Sequence, residues 1–388
     1  MLCSPLHGTH LRAPPSESCG AVSLRRHPLA VRPEVEEAFE FAVKAWTMRS
    51  SQPALWLMFF MICFGLGYPT LNRYNPIQAQ GDAQQYFVLV VHGPSAAEGD
   101  LRYRILVPYL AKPIYKVAAG HIGTWNPVWF SMLVVNSAFC ASSALVLILI
   151  AKALGFQLVT GLIAAFSYLL NFDVANLQLA GLVDSAEGFL MACLVLVLLK
   201  RSWNALPVLG ILGGLAKESF VPFAFLFACG WVWSGKRKPW VQVCAMAAAG
   251  IAAVMLVRLV VEGHLVTPLQ IAGGVRAVSG LSDILRATFK PLASWVVWIT
   301  FLWLVPLAAR GMARLPREAI YGTALGLIGA FILAVWVDAG QDASRYLFNM
   351  AGPCLCLAFA IGITEVSTVP NANAAHTSAM PTVPGSQL

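Results

Sequence analysis

The chain has 388 residues, of which 58% are hydrophobic and only 11% charged. An ordinary water-soluble domain carries about 25% charged residues, so there is too little charge here to cover a soluble surface. That excludes a soluble enzyme, and it excludes disorder along most of the length. The net charge of +8 is not a nucleic-acid signature, because Lys and Arg gather in short clusters between apolar runs, as membrane topology demands. The expected fold is all-α: a polytopic transmembrane helical bundle.

In chain order, residues 1–47 have no apolar period long enough for a core. No hydrophobic stretch follows a basic start, so they do not read as a signal peptide. Met48-Arg49 stands just before the first apolar run, so the segment reads either as a cytoplasmic arm or as an over-extended start. The domain proper is expected over 48–364, and a disordered tail rich in Ser, Thr, Pro, Asn and Ala over 365–388.

A crossing needs about 20 apolar residues, and on that measure about ten candidate spans follow. They run over 53–71, 126–151, 156–171, 177–199, 203–216, 219–235, 240–261, 291–309, 319–337 and 347–364. The fifth is short and contains Gly210, Gly213 and Gly214. Seven cysteines (Cys63, Cys140, Cys193, Cys229, Cys244, Cys354 and Cys356) lie within the apolar stretches, with no CxxC pair or Cys/His ligand spacing. Neither a disulfide framework nor a zinc site is indicated.

Lys152, Lys200-Arg201, Lys236-Arg237-Lys238 and Arg310/Arg314/Arg317 fall in alternate short loops, offset only by Glu318. The positive-inside rule puts these loops, and both termini, in the cytoplasm. Asp82, Glu98, Asp100, Asp173, Glu218, Glu262, Asp283, Asp338 and Asp342 then share the outer side with two long loops, 72–125 and 262–290. An active site is expected there.

The first outer loop holds Gly81-Asp82-Ala83-Gln84-Gln85-Tyr86, then Arg102-Tyr103-Arg104-Ile105-Leu106-Val107-Pro108. The second segment mixes basic, aromatic and aliphatic residues, as does a helix lying in the membrane interface; a pure anchor has the same composition. Asp184 and Glu187 are three apart and share a helix face. An ionisable group within a span faces a cavity or a partner. They read as a packing pair, with Arg258 or Lys217 as partner, or as substrate- or metal-binding acids. Lys217 is placed either to hold a lipid phosphate or to snorkel beside Glu218. Arg345 reads as a phosphate fork or as the local partner of Asp342.

Together these features resemble the GT-C superfamily of integral-membrane glycosyltransferases: a first span, a long outer loop with an early Asp, the Arg-Tyr-Arg-Ile-Leu-Val-Pro segment and Lys217-Glu-Ser-x-x-Pro222. The resemblance implies a polyprenyl-phosphate sugar donor and a reaction at the outer or lumenal face. For Asp82 it implies the catalytic base, or a ligand to a divalent metal such as Mg or Mn. Donor phosphate contacts are then expected from Arg345, Lys217, Arg102 and Arg104, and acceptor contacts from Tyr86, Asp184, Glu187 and Glu218. Many GT-C enzymes carry two neighbouring acids in this loop, whereas Asp82 stands alone, with Asp100 or Asp184 as the candidates for the second. The implied partners are membrane lipids and the lipid-linked donor, not nucleic acid. A rival reading of another class is a proton-coupled transporter or lipid flippase using Asp184 and Glu187; no internal repeat of the kind common in transporters is visible.

Overall fold

A computed structural model describes residues 51–73, 81–123, 125–236, 238–265, 282, 285–286, 289–290, 295–337 and 343–368. The chain divides into two compact units, Met1–Ala45 and Trp46–Leu388, and every described residue belongs to the second. The expectations for residues 1–47, for most of the 262–290 loop and for Asp338 and Asp342 fall outside the described residues.

The described residues form helices and turns with no strand among them. The helices are α1 (Ser51–Arg73), α2 (Gly81–His92), α3 (Leu106–Ala118), α4 (Pro127–Ala153), α5 (Leu158–Leu169), α6 (Asp184–Lys200), α7 (Leu206–Ala216), α8 (Phe220–Ser234), α9 (Trp240–Glu262), α10 (Trp295–Phe301), α11 (Val305–Met312), α12 (Arg317–Val337) and α13 (Ala343–Thr368). Every expected span has a helical counterpart, but length separates them. Five stretches are long and apolar enough to cross a membrane: Gln52–Asn72, Pro127–Ala153, Trp240–Glu262, Arg317–Ala334 and Ala343–Val366. A sixth results if α10 and α11, bent by 46° to one another, form one broken span, and three further apolar helices are shorter.

Local chemistry explains the boundaries. α4 starts where Asn126 caps the backbone N–H of Val128 at 2.9 Å and Pro127 takes the first helical position. α1 carries an aromatic ladder at four-residue spacing, with Trp56–Phe60, Phe60–Phe64 and Phe64–Tyr68 ring centroids 5.4, 6.2 and 6.5 Å apart. Trp125 closes its C-terminal end edge-on to Tyr68 at 4.9 Å. The fourth expected span is broken: Val174–Gln178 is a π-turn, and Gly181, at φ +86°, turns the chain so that the α-helix begins only at Asp184. The C-terminal helix runs to Thr368, past the expected boundary, because Glu365 is held by Arg314 at 2.6 Å.

Glycine seams let the helices approach closely. A Cβ on Gly311 would overlap the carbonyl of Ala358, and one on Gly362 the carbonyl of Leu307, so α11 and α13 pack backbone to backbone. The segment between α1 and α4, expected as the first outer loop, is itself helical over most of its described residues. α2 is followed by 3-10 turns at Pro94–Ala96 and Gly99–Tyr103 and then by α3, which buries Val107, Pro108 and Ala111 and exposes Tyr109, Leu110 and Val117. That amphipathic pattern is the one expected of an interface helix.

Candidate functional site

The candidate residues come from separate helix ends that meet at one end of the bundle. Asp82 is in the first turn of α2, Asp184 and Glu187 in the first turn of α6, Lys217 at the C-terminus of α7, and Arg345 in the first turn of α13. A carboxylate in the first turn of a helix is favoured by the unpaired N–H groups and the positive end of the helix dipole. Asp82 is thus a helical residue, not the loop acid the sequence suggests.

Asp184 is the hub. Its Oδ1 accepts from Lys217 Nζ at 2.6 Å and from Asn349 Nδ2 at 3.2 Å, and its Oδ2 accepts from Arg345 Nη2 at 2.8 Å. Glu187 accepts from Asn349 at 2.8 Å and from Ser219 at 2.7 Å, with Lys217 Nζ 3.3 Å away. Arg345 reaches back with Nη1 to Asp82 Oδ2 at 3.4 Å. The buried members are nearly dry: the side chains of Lys217, Asp184 and Glu187 are at most 1% exposed, whereas that of Asp82 is 40% exposed. So a closed ionic core underlies one carboxylate that faces outward.

The sequence proposed Arg258 or Lys217 as the partner of the paired acids, and Lys217 takes that place. It is not a snorkelling residue beside Glu218, since its ammonium lies between the two acids and over the Tyr346 ring at 4.5 Å. Glu218 instead binds the Arg104 guanidinium, with Nε 3.1 Å from Oε2 and Nη2 2.5 Å from Oε1. Arg104 also donates to the Tyr86 hydroxyl at 3.1 Å. Burial pushes the Tyr86 hydroxyl up to about 12, against the opposing pull of Arg104. Tyr86 therefore stays protonated at neutral pH and serves as a hydrogen-bonding group rather than a base. Arg102 is drawn away to Glu262, and Arg258 goes to Asp100 at 3.2 Å. Of the two candidates for a second acid, Asp184 shares an arginine with Asp82, and Asp100 does not.

A divalent metal fits this donor set poorly. Both oxygens of Asp184 are taken by cationic or amide donors, and an arginine already stands between Asp184 and Asp82. Among the described residues no group of three or more His, Cys, Asp and Glu side chains is arranged to hold a metal ion.

Sequence reasoning missed Asn349 and Gln178. Asn349 bridges Asp184 and Glu187 through Nδ2, and its Oδ1 accepts from Gln178 Nε2 at 2.9 Å. The available signal was spacing, because Asn349 lies four residues after Arg345 and so on the same helix face. Comparison of the chain with protein-family models, with curated proteins and with solved structures returned no match.

Proposed function

We propose that this chain is an integral-membrane glycosyltransferase that moves a sugar from a polyprenyl-phosphate donor to an acceptor hydroxyl, as the resemblance to the GT-C enzymes implies. The observation that supports it best is the pairing of half-exposed Asp82 with Arg345 at 3.4 Å over a closed ionic core. A base and a guanidinium fork within reach of one another are what a single displacement at a phosphate-activated carbon needs.

In this reading the acceptor oxygen attacks the anomeric carbon while Asp82 takes its proton. The bond from that carbon to the phosphate oxygen breaks, and the lipid phosphate leaves with the electron pair, stabilised by Arg345. The anomeric centre inverts. Lys217, Glu187 and Asn349 act through Asp184 to fix the fork. Arg104 and Glu218 hold the Tyr86 hydroxyl beside the site. The topology proper to this reading has about ten crossings, some made by short helices, with both termini in the cytoplasm and the site on the outer face.

The test is to incubate membranes containing the protein with labelled polyprenyl-phosphate sugars and follow label into any endogenous acceptor. Transfer is expected, and Asp82→Asn should lower it by about 10²–10⁴-fold. Glu98→Gln, an exposed side chain with no role here, should leave it unchanged. Equal activity of the two variants would remove Asp82 from the mechanism. Absence of transfer, together with proton-driven uptake abolished by Asp184→Asn, would favour the transporter.

A further inference from the structure

The same end of the bundle carries a second charged cluster that the transfer reaction does not use. It is built on Tyr103, at the end of the Gly99–Tyr103 turn. The Arg258 guanidinium, from the last turns of α9, lies 4.1 Å from the centre of the Tyr103 ring, and that of Arg102 lies 5.1 Å from the same ring. Arg102 and the Tyr103 hydroxyl both donate to a single oxygen, Oε1 of Glu262. Arg258 is 5% exposed at its side chain, and its acidic partner among the described residues is Asp100, whose side chain is 67% exposed. Among the described residues, the Nε atoms of both arginines are buried without an acceptor.

Donors thus outnumber acceptors around two guanidinium groups, one of them almost wholly buried. A buried polar group without a partner is costly. The acceptor that Arg258 does have is the one most readily surrendered to water. Two guanidinium groups beside one aromatic ring match the oxygens of a phosphate group.

Charge narrows the ligand further. Among the described residues Arg102 and Arg258 balance Asp100 and Glu262, so a ligand that displaces Asp100 keeps neutrality there only if it brings a single negative charge. A phosphodiester does; a phosphomonoester near neutral pH brings more. At the level of Arg258, α9 turns Leu256, Leu259 and Val260, 60%, 38% and 76% exposed, to its opposite face, an apolar surface that sets this end of the helix at the depth of lipid.

We propose that Arg258 and Arg102, with Tyr103, form a phosphodiester site that takes the headgroup of a membrane glycerophospholipid in exchange for Asp100. The site is separate from Asp82 and does not rest on the glycosyl-transfer reading.

The experiment uses the purified full chain in a neutral detergent and follows thermal unfolding during titration with short-chain phosphatidylglycerol, with the matching diacylglycerol, or with the water-soluble diester glycerophosphoglycerol. Phosphatidylglycerol should stabilise saturably and diacylglycerol should not. Arg258→Gln should weaken the apparent affinity by about ten- to a hundredfold. Asp100→Asn removes the competing carboxylate and should tighten it by about two- to fivefold, a gain that misfolding cannot imitate. Asp82→Asn should leave the titration unchanged, which keeps this outcome distinct from any loss of transfer. Identical titrations for wild type and Asp100→Asn would overturn the site, and binding of glycerophosphoglycerol as tight as that of the lipid would overturn the assignment to a membrane lipid.

Discussion

Lys217 holds a full positive charge with none of its side chain exposed, 2.6 Å from Asp184 and 3.3 Å from Glu187. Taking such a group out of water is tolerable only because two carboxylates meet it, and removing one member of a buried ion pair costs about 3–5 kcal/mol. Lys217→Ala should therefore lower the stability of the protein in detergent by about that amount. Arg314→Ala is the contrast. It also removes a cation from an ion pair, with Glu365, but the arginine side chain is 66% exposed. Exposed pairs contribute at most about 1 kcal/mol. Melting curves of the two variants decide the matter, and similar losses would show that the core around Asp184 has access to water. The same contrast explains what the sequence could not disclose. Lys217 and Arg314 are both basic residues at the edge of an apolar run, and nothing local separates the one that is enclosed from the one that is not.

At the scale of the elements, apolar runs located the helices well, since a span must be apolar over most of its length whatever it packs against. The i,i+3 spacing of Asp184 and Glu187 correctly placed both on one helix face. Where α6 begins was less legible: the residues from Leu177 to Val183 are nearly all apolar, yet the chain turns there, and Gly181 at φ +86° was the only local sign. That break brings Asp184 to a helix N-terminus instead of two turns inside a span. Partner choice was least legible of all, because Arg104 meets Glu218 across 114 positions and Arg345 meets Asp184 across 161. Such pairings depend on how helices seat against one another, and here the seats are glycines. Gly311→Leu should separate α11 from α13, the helix that also carries Arg345 and Asn349, and should strongly reduce the yield of folded protein. Gly65→Ala, at a helix position where a Cβ meets nothing within 4 Å, should be neutral or add about 0.5–1 kcal/mol of stability. Size-exclusion profiles of the two variants in detergent measure this, and equal profiles would remove the seam from the account of the fold.

For the whole molecule, the alternation of helices sorts charge between two ends. The last turns of α4 and α6 and the turns after α6, α8 and α11 carry Lys152, Lys200, Arg201, Lys236, Lys238 and Arg314, with few acids to offset them. The opposite end gathers Asp82, Asp100, Asp184, Glu187, Glu218 and Glu262, each matched to an arginine or lysine. Clusters of Lys and Arg in short turns next to span ends are retained on the cytoplasmic side during insertion. The end bearing the ionic core should thus face outward. Ser95, in the 3-10 turn after α2, and Ser202, after α6, are exposed at opposite ends of the bundle. In a background lacking other reactive thiols, including the exposed Cys244, Ser95→Cys should react with an impermeant maleimide in intact cells. Ser202→Cys should react only after lysis. The reverse pattern would turn the molecule over in the membrane and place Asp82 and Arg345 against the cytoplasm, where a glycosyl transfer at the outer face is impossible.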